Sequence, residues 1–301
     1  MNSSPANSIP EQAPILAAIS SSRLERLAAL LSLRARKLAA TGLSGLFASH
    51  FAGHGLEFSE LVEYQDGDDA ARIDWPASLR ASRLYRRSYH EERELPLILA
   101  CDCSASLYSQ PVLLELLRQG AALFAACAAQ SQDSFRLLFF SDRLEHALPF
   151  GRGQRHLRRI GSQLYRFVPR WPGTDLAALC QLLHSVCKRP SRLFIFTDLR
   201  CTSYHAALGR LTRKHQVLVC HLQATPIKTK LPPNIWLALA DPESRQEHLY
   251  KAEQSNQASQ AQDLDRRHEI LATGADYLCL NEHKPVLQQL LSYFRQTTTP
   301  F

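Results

Sequence analysis

No apolar run in this 301-residue chain approaches the roughly 20 residues that span a bilayer. The nearest stretch, Ala121 to Ala129, reads as the buried side of a helix, so no transmembrane segment is expected. The N-terminal MNSSPANSIPEQAP lacks the basic start and apolar run of a secretory signal, and the expected location is the cytoplasm. The eight cysteines include no CxxC pair and no Cys/His spacing suited to zinc. They lie mostly inside apolar segments and read as small buried hydrophobes of a reducing compartment. Cys101 and Cys103 are two apart on one strand and face the same side, a spacing poorly suited to a mutual disulfide. Three catalytic signatures are also missing. There is no GxxxxGK[ST] phosphate cradle, since Gly151-Arg152-Gly153 lacks the lysine, and there is no GxSxG or HExxH. No stretch interleaves basic and aromatic residues as a nucleic-acid platform does.

What is present is a chain with 45% hydrophobic residues, enough to fill a sizeable core, and a formal net charge of +7. That charge suits an acidic partner, a nucleic acid, an anionic membrane surface or simply a solvated basic exterior, and does not choose among them. Residues 1 to 19 are polar and Pro/Ser-rich and read as a disordered tail. From Ser20 to about Leu46 leucines recur at three- and four-residue spacing with arginines between them, which predicts an amphipathic helix that packs on the core or on a partner. Nothing aromatic lines its apolar face, which counts against a membrane-surface role. Asp66, Asp68, Asp69 and Asp74 then crowd together. An EF-hand loop counted from Asp66 would need Gly and Glu where Ala71 and Ala77 stand, so calcium is excluded and a tight turn is expected. From Leu95 onward apolar strands alternate with helices. Strands are expected in the first half of the stretch 95–106 and near 135–140, 191–197, 216–223 and 277–280, with a β pair at 235–240 and 248–252. This alternation predicts a doubly wound, mostly parallel α/β sheet over residues 95–301, preceded by an N-terminal helical and β accessory region over residues 20–94.

Within that plan the stretch LPLILACDCSAS, Leu95 to Ser106, stands out. A buried strand breaks abruptly into Asp102, Ser104 and Ser106, at the place where open α/β sheets bind ligands. Thr174 heads a later helix, and Asp198 ends the strand SRLFIFT. If the sheet is wound as expected, all three loops open on one edge. Hydroxyl and carboxylate oxygens are hard ligands suited to Mg²⁺ or Mn²⁺, and two serines and a threonine add no charge, which leaves the metal electrophilic. Taken singly, each residue has another use. Asp102 and Ser104 suit a turn or helix cap, Thr174 or Asp175 a cap, and Asp198 a strand-end turn.

Asp102, Ser104, Ser106, Thr174 and Asp198 resemble the metal-ion-dependent adhesion site of von Willebrand factor A domains. The segments GLEF, EYQDGDDAARIDWPASLR and EERELPLILACDCSAS closely resemble the bacterial domain-of-unknown-function 58 family, which joins such a preceding region to a von Willebrand A-like domain. The resemblance implies a non-enzymatic, chaperone-like interaction protein, commonly encoded beside a MoxR-type AAA+ ATPase and acting with it in assembly or maturation of other proteins. For Asp66, Asp68, Asp69, Asp74 and Trp75 the expected role is structural, fixing how the preceding region packs on the A-like domain, since their spacing does not support an interaction surface. Two competing functions remain open. One is a metal-dependent hydrolase or phosphotransferase with Asp102 as nucleophile, against which no histidine lies within the metal motifs to serve as base. The other is a charge-driven nucleic-acid binder.

Overall fold

The computed structural model describes residues 21–51, 58–65, 68, 73–81, 83–89, 95–201, 203–224, 236–240, 247–251 and 265–297. The expected disordered tail, and Asp66 and Asp69 of the acidic block, lie outside these residues.

Helix α1 (Ser21–Leu38) continues through a widened turn, Ala39–Leu43, into α2 (Ser44–Phe51). The periodicity predicts one unbroken helix to about Leu46. The chain instead kinks at Thr41 and Gly42, where Gly42 takes φ +101°, a left-handed conformation that costs glycine little and other residues more. A two-stranded antiparallel ribbon follows, from β1 (Phe58–Glu63) and β2 (Tyr85–Tyr89), with α3 (Trp75–Ala81) between them. Then come β3 (Leu97–Asp102), the short α4 (Ala105–Tyr108), α5 (Pro111–Gln130), β4 (Phe135–Phe140), β5 (Leu144–Ala147), α6 (Gly153–Arg166), α7 (Leu176–Val186) and β6 (Arg192–Thr197). The last elements are α8 (His205–Thr212), β7 (Gln216–Gln223), an antiparallel pair β8 (Trp236–Ala240) and β9 (Glu247–Lys251), α9 (265–272), β10 (Asp276–Asn281) and α10 (Val286–Thr297).

Six strands form the main sheet in the order β10-β7-β6-β3-β4-β5, all parallel except β5, which runs antiparallel to β4 at the edge. The mostly parallel, doubly wound α/β arrangement is therefore present. Strand β3 lies at the centre and is buried along its whole length, as expected for a parallel strand covered on both faces. Its residues alternate between two cores. Leu97, Leu99 and Cys101 join α1, α2, α5, α6 and α10 on one face, whereas Ile98 and Ala100 join α7, α8 and α9 on the other. Phe47 of α2 packs into the first core beside Phe124, Phe194 and Phe294, with ring centroids 6.2 Å from each. Phe124 and Phe194 meet edge to face at 4.5 Å, the favoured arrangement for aromatic pairs.

Helix α5 is the one described helix long and apolar enough to cross a membrane, and 78% of its most apolar stretch is buried inside this core. From β3 the chain steps to β4 on one side, while β6 lies on the other side of β3. The winding direction thus changes at β3, and a crevice is expected at the carboxyl ends of β3 and β6.

Candidate metal centre

The polar residues of the strand ends gather at this edge of the sheet. Asp102 is the last residue of β3 and is fully buried, as are Ser104 and Ser106 just beyond it. The Asp102 Oδ1 accepts the Ser104 backbone N–H at 2.8 Å and closes the turn. This accounts for the short spacing, because an Asx-type turn lets a strand reverse within two residues. Ser104 occupies the N-cap position of α4, yet its side chain caps nothing. Its Oγ lies 3.1 Å from the Oγ of Ser106 instead. The two hydroxyls meet because Ser106, in the first turn of α4, is turned back toward the strand end.

The neighbouring strand β6 supplies the second carboxylate. Thr197 donates its hydroxyl to Asp102 Oδ2 at 2.7 Å and itself accepts the Leu199 N–H at 3.1 Å. Asp198 follows, 5% exposed. Its Oδ1 accepts the Arg200 N–H at 3.4 Å, while its buried Oδ2 has no hydrogen-bond donor. The nearest cation to Oδ2 is the half-exposed Arg200, whose Nε stands 3.3 Å away outside hydrogen-bonding geometry. Burial, and then the charge of Asp198, push the Asp102 carboxyl up to about 7, against the lowering effect of the Ser104 and Thr197 hydrogen bonds. Two acids have thus been brought together out of water, an arrangement that disfavours ionising both. Behind Asp198, His221 of β7 is buried, contacts the Asp198 backbone and holds Tyr277 Oη 2.7 Å from its Nδ1. Burial, and then Arg266, lower its imidazole to about 4, so it packs there neutral.

Thr174 sits on a loop fastened to the same edge. The Pro172 carbonyl accepts the Ala105 N–H at 2.8 Å, and the Asp175 N–H donates to the Ser141 carbonyl at 3.1 Å. Thr174 is therefore carried between the end of β4 and the turn after β3. Its loop is braced by Glu145, whose carboxylate accepts the N–H groups of Arg170 at 2.7 Å and Trp171 at 3.3 Å and also receives the Cys103 thiol at 3.4 Å. The cap of α7 is Asp175, which accepts the Ala178 N–H at 2.8 Å. Thr174 is thereby relieved of the capping role that its position also suits.

The five residues singled out in the sequence thus lie on three loops of one sheet edge. Sequence reasoning overlooked Thr197, which secures Asp102, and Arg200, which stands beside Asp198. Thr197 directly precedes a strand-end aspartate, and that adjacency was the available signal. Among the described residues no group of three or more His, Cys, Asp or Glu could hold a metal; an ion at this edge would find two carboxylates and neutral hydroxyls as donors. Such a set fits a small hard dication. All the donors are oxygens, the two acids are buried together, and one carboxylate oxygen lacks a donor. Of the acidic block, Asp74 accepts the Ala77 N–H at 3.0 Å at the head of α3, and Asp68 Oδ2 accepts the Gln65 N–H at 3.1 Å, both local turn and cap contacts. Trp75 is 60% exposed.

The chain is similar to several known proteins. The chain is 28% identical over 205 residues to Uncharacterized protein Rv1480 of Mycobacterium tuberculosis and, equally, to Uncharacterized protein Mb1516 of Mycobacterium bovis. The match covers 64% of this chain and 62% of each of those proteins, so the chain spans less than two thirds of the length of these relatives. Among solved structures it is similar to the conserved hypothetical protein BatB from Bacteroides thetaiotaomicron, at 14% identity and a TM-score of 0.43, over 67% of this chain and 99% of that one. It is also similar to a von Willebrand factor type A protein from Catenulispora acidiphila, at 10% identity and a TM-score of 0.41, over 69% of this chain and 42% of that one. The family model described as "Protein of unknown function DUF58" matches residues 60–269, more than two thirds of the sequence, and the chain belongs to that family.

Proposed function

We propose that this chain is a non-enzymatic protein-interaction adaptor. In this reading Asp102, Ser104, Ser106, Thr174 and Asp198 hold Mg²⁺ or Mn²⁺, and the bound ion receives an acidic side chain from a partner. The observation that carries the reading is the pair of buried carboxylates at the switch point, with Asp198 Oδ2 lacking a hydrogen-bond donor and the buried Ser104 and Ser106 hydroxyls just beyond Asp102. A folded protein does not ordinarily bury two acids together unless a cation or a shared proton compensates them. A divalent ion held by these residues would supply a Lewis-acidic centre for an incoming carboxylate.

The chain's own residues do the rest. The Ser104 N–H and the Thr197 hydroxyl hold both oxygens of Asp102 in fixed directions, so the carboxylate is oriented before anything binds. Neutral hydroxyls contribute lone pairs without further negative charge, which leaves the site receptive to a carboxylate from outside. Glu145 and the Pro172 to Ala105 hydrogen bond keep the Thr174 loop at the rim. In keeping with the family resemblance, the partner proposed is a MoxR-type AAA+ ATPase or an acidic client that it acts on, with the chain working in the cytoplasm.

Calorimetric titration of the purified chain with MgCl₂ and MnCl₂ tests the site. A single site is expected in the wild type, with affinity lowered at least a hundredfold in Asp102→Ala. Pull-down of a MoxR-type AAA+ ATPase from the same organism is expected to need Mg²⁺, to fail in EDTA and to fail for Asp102→Ala. Pull-down that survives the substitution with Mg²⁺ present would overturn the metal-bridge reading. Turnover of a phosphoester abolished by Asp102→Ala would restore catalysis as the function.

A further inference from the structure

The outward face of α1 is a surface with no part in the proposed site. The helix seats itself on α5 and α6 with Ala28, Leu31, Ser32 and Ala35. The seat is close, because a Cβ on Gly161 of α6 would collide with Ser32 and come within 3.1 Å of the Ala28 carbonyl. With this face fixed inward and about 100° between successive residues, the opposite stripe is Arg26, Leu30, Leu33 and Lys37. Leu30 is 53% exposed and Leu33 46%. The water-facing stripe of a helix ordinarily carries polar side chains, and here its centre is two leucines between two cations. Arg34 and Arg36 are exposed on the flanks, and the neighbouring α6 also carries exposed arginines, Arg155, Arg158 and Arg159. Against them, the described part of α1 carries one acid, Glu25, which is engaged by Arg166.

We infer that this face docks on the surface of a bilayer rich in anionic lipid, with Leu30 and Leu33 entering the headgroup boundary and the basic side chains lying against lipid phosphates. Charge complementarity selects this occupant. A second copy of the chain would bring two strongly cationic faces together. A nucleic-acid backbone would meet the arginines and leave the leucines at the centre without a counterpart. An anionic bilayer meets both, since long basic side chains can bury their stems beside apolar neighbours and keep their charged ends at the phosphates. The absence of aromatics does not prevent such binding where leucine supplies the apolar contact and several cations supply the attraction. The face is independent of the proposed cation site, and either could fail alone.

The test is co-sedimentation of the full chain with vesicles of phosphatidylcholine alone and of equimolar phosphatidylcholine and phosphatidylglycerol. Binding is expected to the mixed vesicles only, weakening as salt is raised. The double variant Leu30→Ser/Leu33→Ser is expected to bind them at least tenfold more weakly, with an unchanged circular dichroism spectrum and melting temperature because both side chains face outward. Arg26→Glu/Lys37→Glu should lose binding as well. Failure to bind the mixed vesicles overturns the inference, as does equal binding with and without the two leucines. Tighter binding to a short DNA duplex than to the vesicles, or a solution dimer that the leucine variant abolishes, would also overturn it.

Discussion

The two ends of the central sheet handle buried charge in opposite ways. At the end where the parallel strands begin, Arg192 at the start of β6 lies 3.2 Å from Asp133, just before β4, with both side chains largely buried. Charge at that end is matched within the chain, and the Arg192 guanidinium also lies 6.0 Å from the Phe47 ring centroid. At the end where the strands finish, two buried acids, Asp102 and Asp198, are brought together with Thr197 donating to one of them, and the one cation beside them is the half-exposed Arg200, 3.3 Å from the buried Asp198 Oδ2 and outside hydrogen-bonding geometry. The difference teaches how to separate structure from function in this fold. A buried acid with its own buried cation completes the protein, whereas two buried acids sharing one half-exposed cation leave room for a compensating charge from outside.

Three substitutions test that contrast, beginning with the largest effect. Arg192→Ala leaves Asp133 buried without its partner and is expected to cost about 3 kcal/mol in chemical denaturation, while Mg²⁺ titration stays as in the wild type. If the cation affinity fell as far as the stability, the two ends would not be independent. Asp198→Asn should act with the opposite sign. Relief of the acid pair is expected to stabilise the cation-free chain by about 1 kcal/mol, and the rise in melting temperature that Mg²⁺ gives the wild type should vanish. A destabilised Asn variant would mean that the two acids are not in conflict. The smallest effect belongs to Arg200→Gln. Removing a half-exposed competing cation should tighten Mg²⁺ binding about threefold by calorimetry, a modest gain because solvent screens the guanidinium. Weaker binding in that variant would show that Arg200 supports the site.

Much of the fold was legible because buried parallel strands announce themselves as short apolar runs. The stretches LILACD and RLFIFT need no partner to be recognised as central strands, since alternate residues must be apolar on both faces. The polar break after each run marked Asp102 and Asp198. The α1–α2 segment was less legible. Leucine spacing indicates a helix, but the kink at Gly42 depends on where the helix must turn to seat Phe47 among Phe124, Phe194 and Phe294, and periodicity carries no record of that. Thr197 was missed for a related reason. Its hydroxyl matters because β6 lies beside β3, 95 residues away in sequence.

The sequence by itself determined the alternation of strand and helix, the apolar character of the central strands and the chemistry of the residues that end them, because these follow from side-chain periodicity and residue type. Tertiary structure alone decided three things. It assigned the α7 cap to Asp175 rather than Thr174, it set Asp198 close enough to Asp102 to oppose its ionisation, and it chose which leucines of α1 face outward. Each depends on which elements become neighbours. Local spacing cannot encode that, because the order of strands in a sheet is settled only when separate parts of the chain bury their apolar faces together.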